Sequence, residues 1–313
     1  MFLEVNQFYN IDRLFESVAE KGHVCVGLDT AAEYIPTSER RRYNSDAEAV
    51  LDFNRAIIDS TFNAAACYKV QIAYYEEMGI AGLDSYMKTL RYIREKGGLV
   101  IADIKRGDIA DTALRYAKAH FEGDFEADFV TLSPYMGMDS IEPWLVHANN
   151  KDKGAFVLMR TSNKGMHDFE YLEIENRDQE KGVRRVYHAV GDKLKELAAV
   201  HSGKYGYGIF GAVVGCTERD EAVEIRKNYS NLFFLIPGYG AQGGAADDAA
   251  LLIREGNGGV VNASRSILKA WSEDLKKSGS DESAVTNTFA AEAARKAAIT
   301  MRDAIRTAMR NEE

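Results

Sequence analysis

Cysteine is scarce: three residues in a chain of 313. Cys25, Cys67 and Cys216 are odd in number, far apart, and each lies in or beside an apolar run. They exclude a disulfide framework and read as buried thiols of a reducing compartment. Positive charge is also short, with 39 Lys and Arg against 48 Asp and Glu, a formal net charge of −9 and a pI near 5.3. Binding to nucleic-acid backbones needs a basic surplus, so a general nucleic-acid partner is excluded, whereas a small anionic ligand needs only a few local cations. No apolar run approaches the roughly 18 residues of a membrane span. The opening "MFLEVNQFYN" lacks the basic start and long apolar segment of a signal peptide, so the expected location is cytoplasmic with no membrane partner. Six histidines form no HExxH and no Cys/His cluster at zinc spacing, and no metal site is expected. No linker, low-complexity segment or break in composition divides the chain, so residues 1–313 are expected to form one domain.

What the sequence does contain is a repeat of short apolar runs: "HVCVGLD" (23–29), "AACYKVQI" (65–72), "LVIADIK" (99–105), "ADFVTLS" (127–133), "GAFVLMR" (154–160), "GIFGAVVG" (208–215), "LFFLIPG" (232–238) and "GGVVNAS" (258–264). Between them lie stretches of helical periodicity such as "AEAVLDFNRAIIDSTF" and "RRVYHAVGDKLKELAAV". Strands alternating with helices imply a parallel sheet. Eight such units, nearly all with continuously apolar strands, fit an α/β fold closed as a (β/α)8 TIM-type barrel, with extra N- and C-terminal helices around 11–21 and 283–310. An open doubly wound sheet is the alternative. The match "GYGIFG" (206–211) to GxGxxG precedes a strand instead of following one, which is the wrong context for dinucleotide binding.

In such a barrel, chemistry sits at the carboxyl ends of the strands. Asp29 ends the first run, Lys69 lies in the second, and Asp103 and Lys105 end the third. A strand period of two places Ile101, Asp103 and Lys105 on one side, facing the mouth. Asp108 falls beyond the strand, where a helix N-cap is the simplest alternative role. Far along the chain, "PGYGAQGG" (237–244) follows the seventh run, and "NASRSI" (262–267) follows the eighth and opens a helix. Loops after strands seven and eight, glycine-rich and backed by a helix N-terminus, are the usual phosphate seat of these barrels, and Arg265 would add a bidentate cation.

Together "GLD", Lys69, "DIKRGDI", "RTSN" (160–163), "PGYGAQGG" and "SRSI" resemble orotidine 5′-monophosphate decarboxylases, in their longer form with DxKRGDI. The resemblance spans about residues 26 to 267. It implies decarboxylation of orotidine 5′-monophosphate to uridine 5′-monophosphate in pyrimidine biosynthesis, without a cofactor. It implies that Asp29 and Lys69 hold ribose hydroxyls, that Asp103 sits beside the substrate carboxylate, and that Lys105 donates the proton. It further implies a homodimer with shared sites, in which Asp108, Ile109 and Thr112 cross to the partner. Ser162 would contact the pyrimidine, while Pro237, Gln242, Gly243, Ser264 and Arg265 would bind around the phosphate. Thr30 after "GLD" and "DIADT" (108–112) depart from the family's usual pattern, and neither removes a charged group.

The reaction explains the charge. Loss of CO2 leaves an electron pair on C6 of the pyrimidine with no cofactor to delocalise it. An alternating array of Lys69, Asp103, Lys105 and Asp108 fixes ammonium charge where that pair develops, and the carboxylates keep both lysines protonated. One alternative is a metal-dependent sugar-phosphate barrel, such as a hexulose-phosphate synthase or a keto-gulonate-phosphate decarboxylase. Another is a non-catalytic nucleotide-binding barrel.

Overall fold

The computed structural model describes residues 9–175, 183–240, 244–278, 281–282 and 285–312. Strands β1 (Val24–Gly27), β2 (Cys67–Gln71), β3 (Val100–Arg106), β4 (Phe129–Leu132) and β5 (Gly154–Arg160) come first. A two-residue ribbon follows, β6 (Glu173–Ile174) against β7 (Arg184–Arg185), then β8 (Phe210–Val214), β9 (Phe234–Ile236) and β10 (Gly259–Ala263). The eight long strands pair in parallel in the order β1-β2-β3-β4-β5-β8-β9-β10, and β10 returns to β1 with Val24 opposite Val261. The barrel is closed, which decides against the open sheet, and no edge strand is left in it. All eight runs read from the sequence are barrel strands. "GYGIFG" leads into β8 and opens no helix.

The apolar strands are continuous because they are buried on both faces: β1, β4, β8 and β9 contain no residue outside the core. The glycine at 154 starts β5 because its neighbours approach too closely for a side chain; a Cβ there would lie 2.6 Å from the Ile209 carbonyl oxygen. The three cysteines are buried free thiols.

The amino ends of the strands are closed by the helix Asn10–Lys21. Asn10 Nδ2 donates to Asp128 Oδ1 (3.2 Å), whose other oxygen accepts the Val100 amide (2.9 Å) at the start of β3. Ser17 Oγ donates to the Ala66 carbonyl (2.7 Å) ahead of β2, and Asn257 Nδ2 to the Phe15 carbonyl (3.0 Å) ahead of β10. The final helix, Asn287–Glu312, packs against Asp46–Thr61, with Asn287 Nδ2 donating to Asp52 (3.1 Å). With its amino end sealed, the barrel has its opening at the carboxyl ends.

One buried base ties this architecture to pH. His120 lies in the last turn of the helix Ala110–Phe121, is 2 % exposed, and packs against the Trp144 and Phe125 rings with no partner for Nδ1 among the described residues. Burial, helped by the nearby Arg106 charge, pushes its pKa down to about 4. A base with a lower pKa folded than unfolded binds fewer protons in the native state. The stability it permits is therefore complete above about pH 6.5 and falls as pH drops toward 4, by roughly 2–3 kcal/mol. In urea unfolding at pH 7.5 and pH 4.5, His120→Phe, which keeps the ring stack, is expected to lose less stability on acidification than the wild type by about that amount. Equal losses would place the acid sensitivity elsewhere.

Candidate active site

A cavity of about 560 Å³ opens at the carboxyl ends of the strands. Its charged wall comes from three successive strands. Asp29 follows β1, Lys69 lies on β2, and Asp103 and Lys105 lie on β3. Lys69 Nζ donates to Asp29 Oδ1 (2.8 Å) and to Asp103 Oδ2 (3.0 Å). Lys105 Nζ donates to the other Asp103 oxygen, Oδ1, at 2.6 Å. The charges thus alternate along a chain Asp29, Lys69, Asp103, Lys105.

Their environments differ. The Lys69 and Asp103 side chains are each 7 % exposed, whereas that of Lys105 is 47 % exposed. Burial opposes ionisation of Asp103, but the Lys69 and Lys105 ammonium groups and the hydrogen bonds from Lys105 and Thr131 outweigh it and hold the carboxyl below the usual carboxylate range. Burial likewise opposes the charge on Lys69, and Asp103 and Asp29 outweigh it, lifting Lys69 above the usual lysine range. Lysine and carboxylate are each kept ionised by the other. Among the described residues no group of three or more His, Cys, Asp or Glu is arranged to hold a metal ion.

Lys105 reaches this position through a bulge. Between β3 and β4 the register passes from Ala102 opposite Val130 to Arg106 opposite Leu132, so two extra residues are accommodated on β3. Lys105 takes a left-handed backbone conformation, φ 44°, rare for a residue with a side chain. The contact expected from strand alternation is present, but a bulge creates it.

The opposite side of the cavity offers glycine-rich backbone and polar side chains unpaired among the described residues. Pro237 and Gly238 follow β9, and Ser264 and Arg265 follow β10. Gly238 (φ 104°) and Gly240 (φ 70°) have the positive φ that only glycine adopts freely. The Arg265 side chain is exposed and makes no hydrogen bond or ion pair among the described residues, and Ser264 Oγ is buried there without a partner. "SRSI" opens a single turn, Arg265–Leu268, continued by Ala270–Ser278, not one long helix. Gln242 and Gly243 lie outside the described residues. Ser162 lines the cavity on the loop after β5.

Three expected site residues are not brought in. Asp108 accepts the Ile109 amide (2.9 Å) and, with the exposed Ile109 and Thr112, lies off the lining of its own chain's cavity. Asp108 does not cap a helix either: Ile109 is the N-cap of Ala110–Phe121, with no side-chain hydrogen bond. Within one chain the fourth charge of the array is Asp29. Sequence reasoning also missed Gln71, whose Nε2 donates to Asp103 Oδ2 (3.0 Å), and Thr131, whose Oγ1 donates to Asp103 Oδ1 (2.8 Å). Gln71 stands two residues past Lys69, on the same strand face, and Thr131 is the lone polar residue of β4. Either position could have been flagged.

The family described as orotidine 5′-phosphate decarboxylase / HUMPS matches residues 22–277. The chain belongs to that family. It is 54% identical over 296 residues to an orotidine 5′-phosphate decarboxylase of Clostridium acetobutylicum, covering 95% of this chain and 98% of the relative. A protein of the same name from Clostridium perfringens is 53% identical over 300 residues, with the same coverage of both chains. Among solved structures, orotidine monophosphate decarboxylase of Leishmania donovani aligns over 96% of this chain and 99% of its own, at TM-score 0.73 and 28% identity. The segment "DIKRGDI" (103–109) forms the carboxyl half of β3 with its bulge and the loop that follows.

Because its partners hold Asp103 ionised, its carboxyl carbon resonance in selectively 13C-labelled protein should stay constant from pH 9 to pH 4. An ordinary aspartate is half protonated near pH 3.9 and already shifting at the lower limit. The stability this carboxylate contributes is present above the ordinary value and lost only as pH falls through its depressed one. A titration step centred between pH 4 and 6 would contradict the array.

Proposed function

We infer that this chain removes carbon dioxide from orotidine 5′-monophosphate to give uridine 5′-monophosphate, a step of pyrimidine biosynthesis, with Lys105 as the proton donor and no cofactor. Membership of the family and 54% identity to a decarboxylase across nearly the whole chain support the reaction. The observation that supports the residue roles is the Asp103 carboxylate held between two ammonium groups at 2.6 and 3.0 Å. In this reading the bond between C6 and the carboxylate breaks, its electron pair remains on C6, and CO2 leaves. The fixed charge of Lys105 stabilises that pair, and its Nζ then gives C6 a proton, becoming a neutral amine that takes a proton back from water. A unit charge pair ~4 Å apart at an effective dielectric near 20 interacts by about 4 kcal/mol, so a preformed array supplies several kcal/mol where the charge appears.

Asp29 and Lys69 hold the ribose hydroxyls, Ser162 the pyrimidine, and Arg265, Ser264, Pro237, Gln242 and Gly243 surround the phosphate. Binding energy from the phosphate, remote from C6, serves to close the loops after β5 and β9 over the base and exclude water. In this reading the chain works as one barrel domain in the cytoplasm, and the buried free thiols support that location. Among the described residues, no helix is long and apolar enough to cross a membrane.

The functional unit in this reading is a two-fold dimer. Exposed apolar side chains stand in the segments after β2 to β5: Ile80 (88 %), Tyr135 (82 %), Phe169 (62 %), Met136 and Ile109, with the Tyr135 and Phe169 rings in contact. Burial of such groups against a second copy would carry Asp108, Ile109 and Thr112 toward the partner's cavity.

Loss of orotidine 5′-monophosphate absorbance in chelator-treated buffer tests the reaction, since the metal-dependent alternative would stop there and recover on adding a divalent ion. In the same assay Lys105→Ala should lower turnover by at least ~10²–10⁴, the effect of losing a positioned proton donor, with the fold retained. Activity within tenfold of wild type would remove Lys105 from that role.

The dimer has its own test. Inactive Lys105→Ala and Asp108→Ala proteins, mixed under conditions of subunit exchange, should recover activity. Random pairing makes half the dimers mixed, each with one intact site, so about a quarter of all sites return. Demonstrated exchange without recovery would mean that Asp108 acts within its own chain.

A further inference from the structure

Across the bulge in β3, four steps along β3 pass while β4 advances by two, and the consecutive amides of Ile104 and Lys105 both turn to a side chain of β4. A buried amide left unpaired is costly, so each needs an acceptor. One hydroxyl serves both. Thr131 Oγ1, on a residue 1 % exposed, accepts the Ile104 amide (3.0 Å) and the Lys105 amide (3.0 Å). A threonine oxygen has two acceptor positions and one proton. With both acceptor positions filled by the amides, the proton has one direction left, and Asp103 Oδ1 lies along it at 2.8 Å.

From this geometry we propose that Thr131 is a positioning residue for proton transfer, locking the β3 bulge and the rotation of the Asp103 carboxylate so that Lys105 is aimed at the reacting carbon. The residue acts at both ends of the Lys105 side chain. Through the amides it holds the left-handed backbone from which the side chain departs. Through Asp103 Oδ1 it fixes the oxygen to which Lys105 Nζ is bound, while Gln71 and Lys69 fix the other oxygen. Serine would serve as well, since only the hydroxyl is used, and valine has the same shape without it. The residues assigned to the phosphate follow β9 and β10, away from β3 and β4.

This inference rests on Lys105 being the proton donor. Its test is steady-state decarboxylation by Thr131→Val and Thr131→Ser. Valine should reduce kcat by ~10², the effect of removing one preorganised donor, while KM changes by less than about threefold; serine should restore kcat to within about fivefold of wild type. Amide hydrogen exchange at Ile104 and Lys105 should quicken in the valine protein and not in the serine protein. Should valine prevent folding, Thr131→Ala takes its place in the same comparison. A kcat within threefold of wild type for valine, or a serine protein as slow as valine, would overturn the proposal. If Lys105→Ala is itself nearly as active as wild type, the proton-donor reading fails; if Lys105→Ala is inactive and Thr131→Val is not, only the role of Thr131 fails.

Discussion

Both oxygens of the Asp103 carboxylate are engaged by ammonium groups, Lys69 on one and Lys105 on the other, and the rest of the site is arranged around that sharing. A carboxylate with 7 % of its side chain exposed carries a desolvation penalty that one counter-charge seldom offsets. Two cations and the hydroxyl and amide donors of Thr131 and Gln71 offset it here, so the group stays ionised where a simpler core would hold an apolar side chain. Fixed charge in a water-poor cavity does not have to reorganise when a reaction develops charge beside it.

That arrangement constrains the backbone. β3 must present Asp103 deep in the mouth and Lys105 at its rim, yet consecutive inward positions of a regular strand are fixed in spacing by the pleat. The bulge breaks that spacing and stores strain at Lys105, and the closed barrel around it keeps the strain from relaxing. The proposed phosphate end imposes no such demand on the strands. Gly238 and Gly240 lie in a loop beyond β9, where left-handed conformations cost little.

The barrel was legible because its strands are apolar on both faces, a pattern that helices at this length do not share, and because polar residues interrupt the runs only near their carboxyl ends. The same logic found Asp29, Lys69, Asp103 and Lys105. It reached the Lys105 contact through regular alternation, and the bulge that creates it left no mark in the local sequence, since "VIADIKR" reads as an ordinary strand. Thr131 stands out as the lone polar residue of β4, yet a β-branched threonine is at home in any strand, so the pattern alone gives it no role. Asp108 was assigned to the array from its spacing and from family resemblance. The chain alone turns it back onto its own Ile109 amide, and no property of a single sequence says which chain's cavity it serves.

Two buried cations at opposite ends of the barrel show why burial alone does not make a reactive lysine. At the amino end, Arg226 donates to the carbonyls of Leu232, Gly258 and Leu252 and to that of Tyr229, and lies 3.9 Å from the centre of the Phe234 ring. Its charge is spent on joining loops. Lys69 is nearly as enclosed, held between Asp29 and Asp103, and any motion toward a ligand would break one of two strong contacts. Lys105 differs in having one protein partner, roughly half its side chain open, and a flexible stem on a fixed backbone. A proton donor needs a counter-charge that keeps it protonated, a free direction toward the acceptor and water within reach for recovery. Of the three cations Lys105 alone combines a carboxylate partner with an open side, so in the proposed reaction the asymmetry between the two lysines on Asp103 assigns the field to Lys69 and the proton to Lys105.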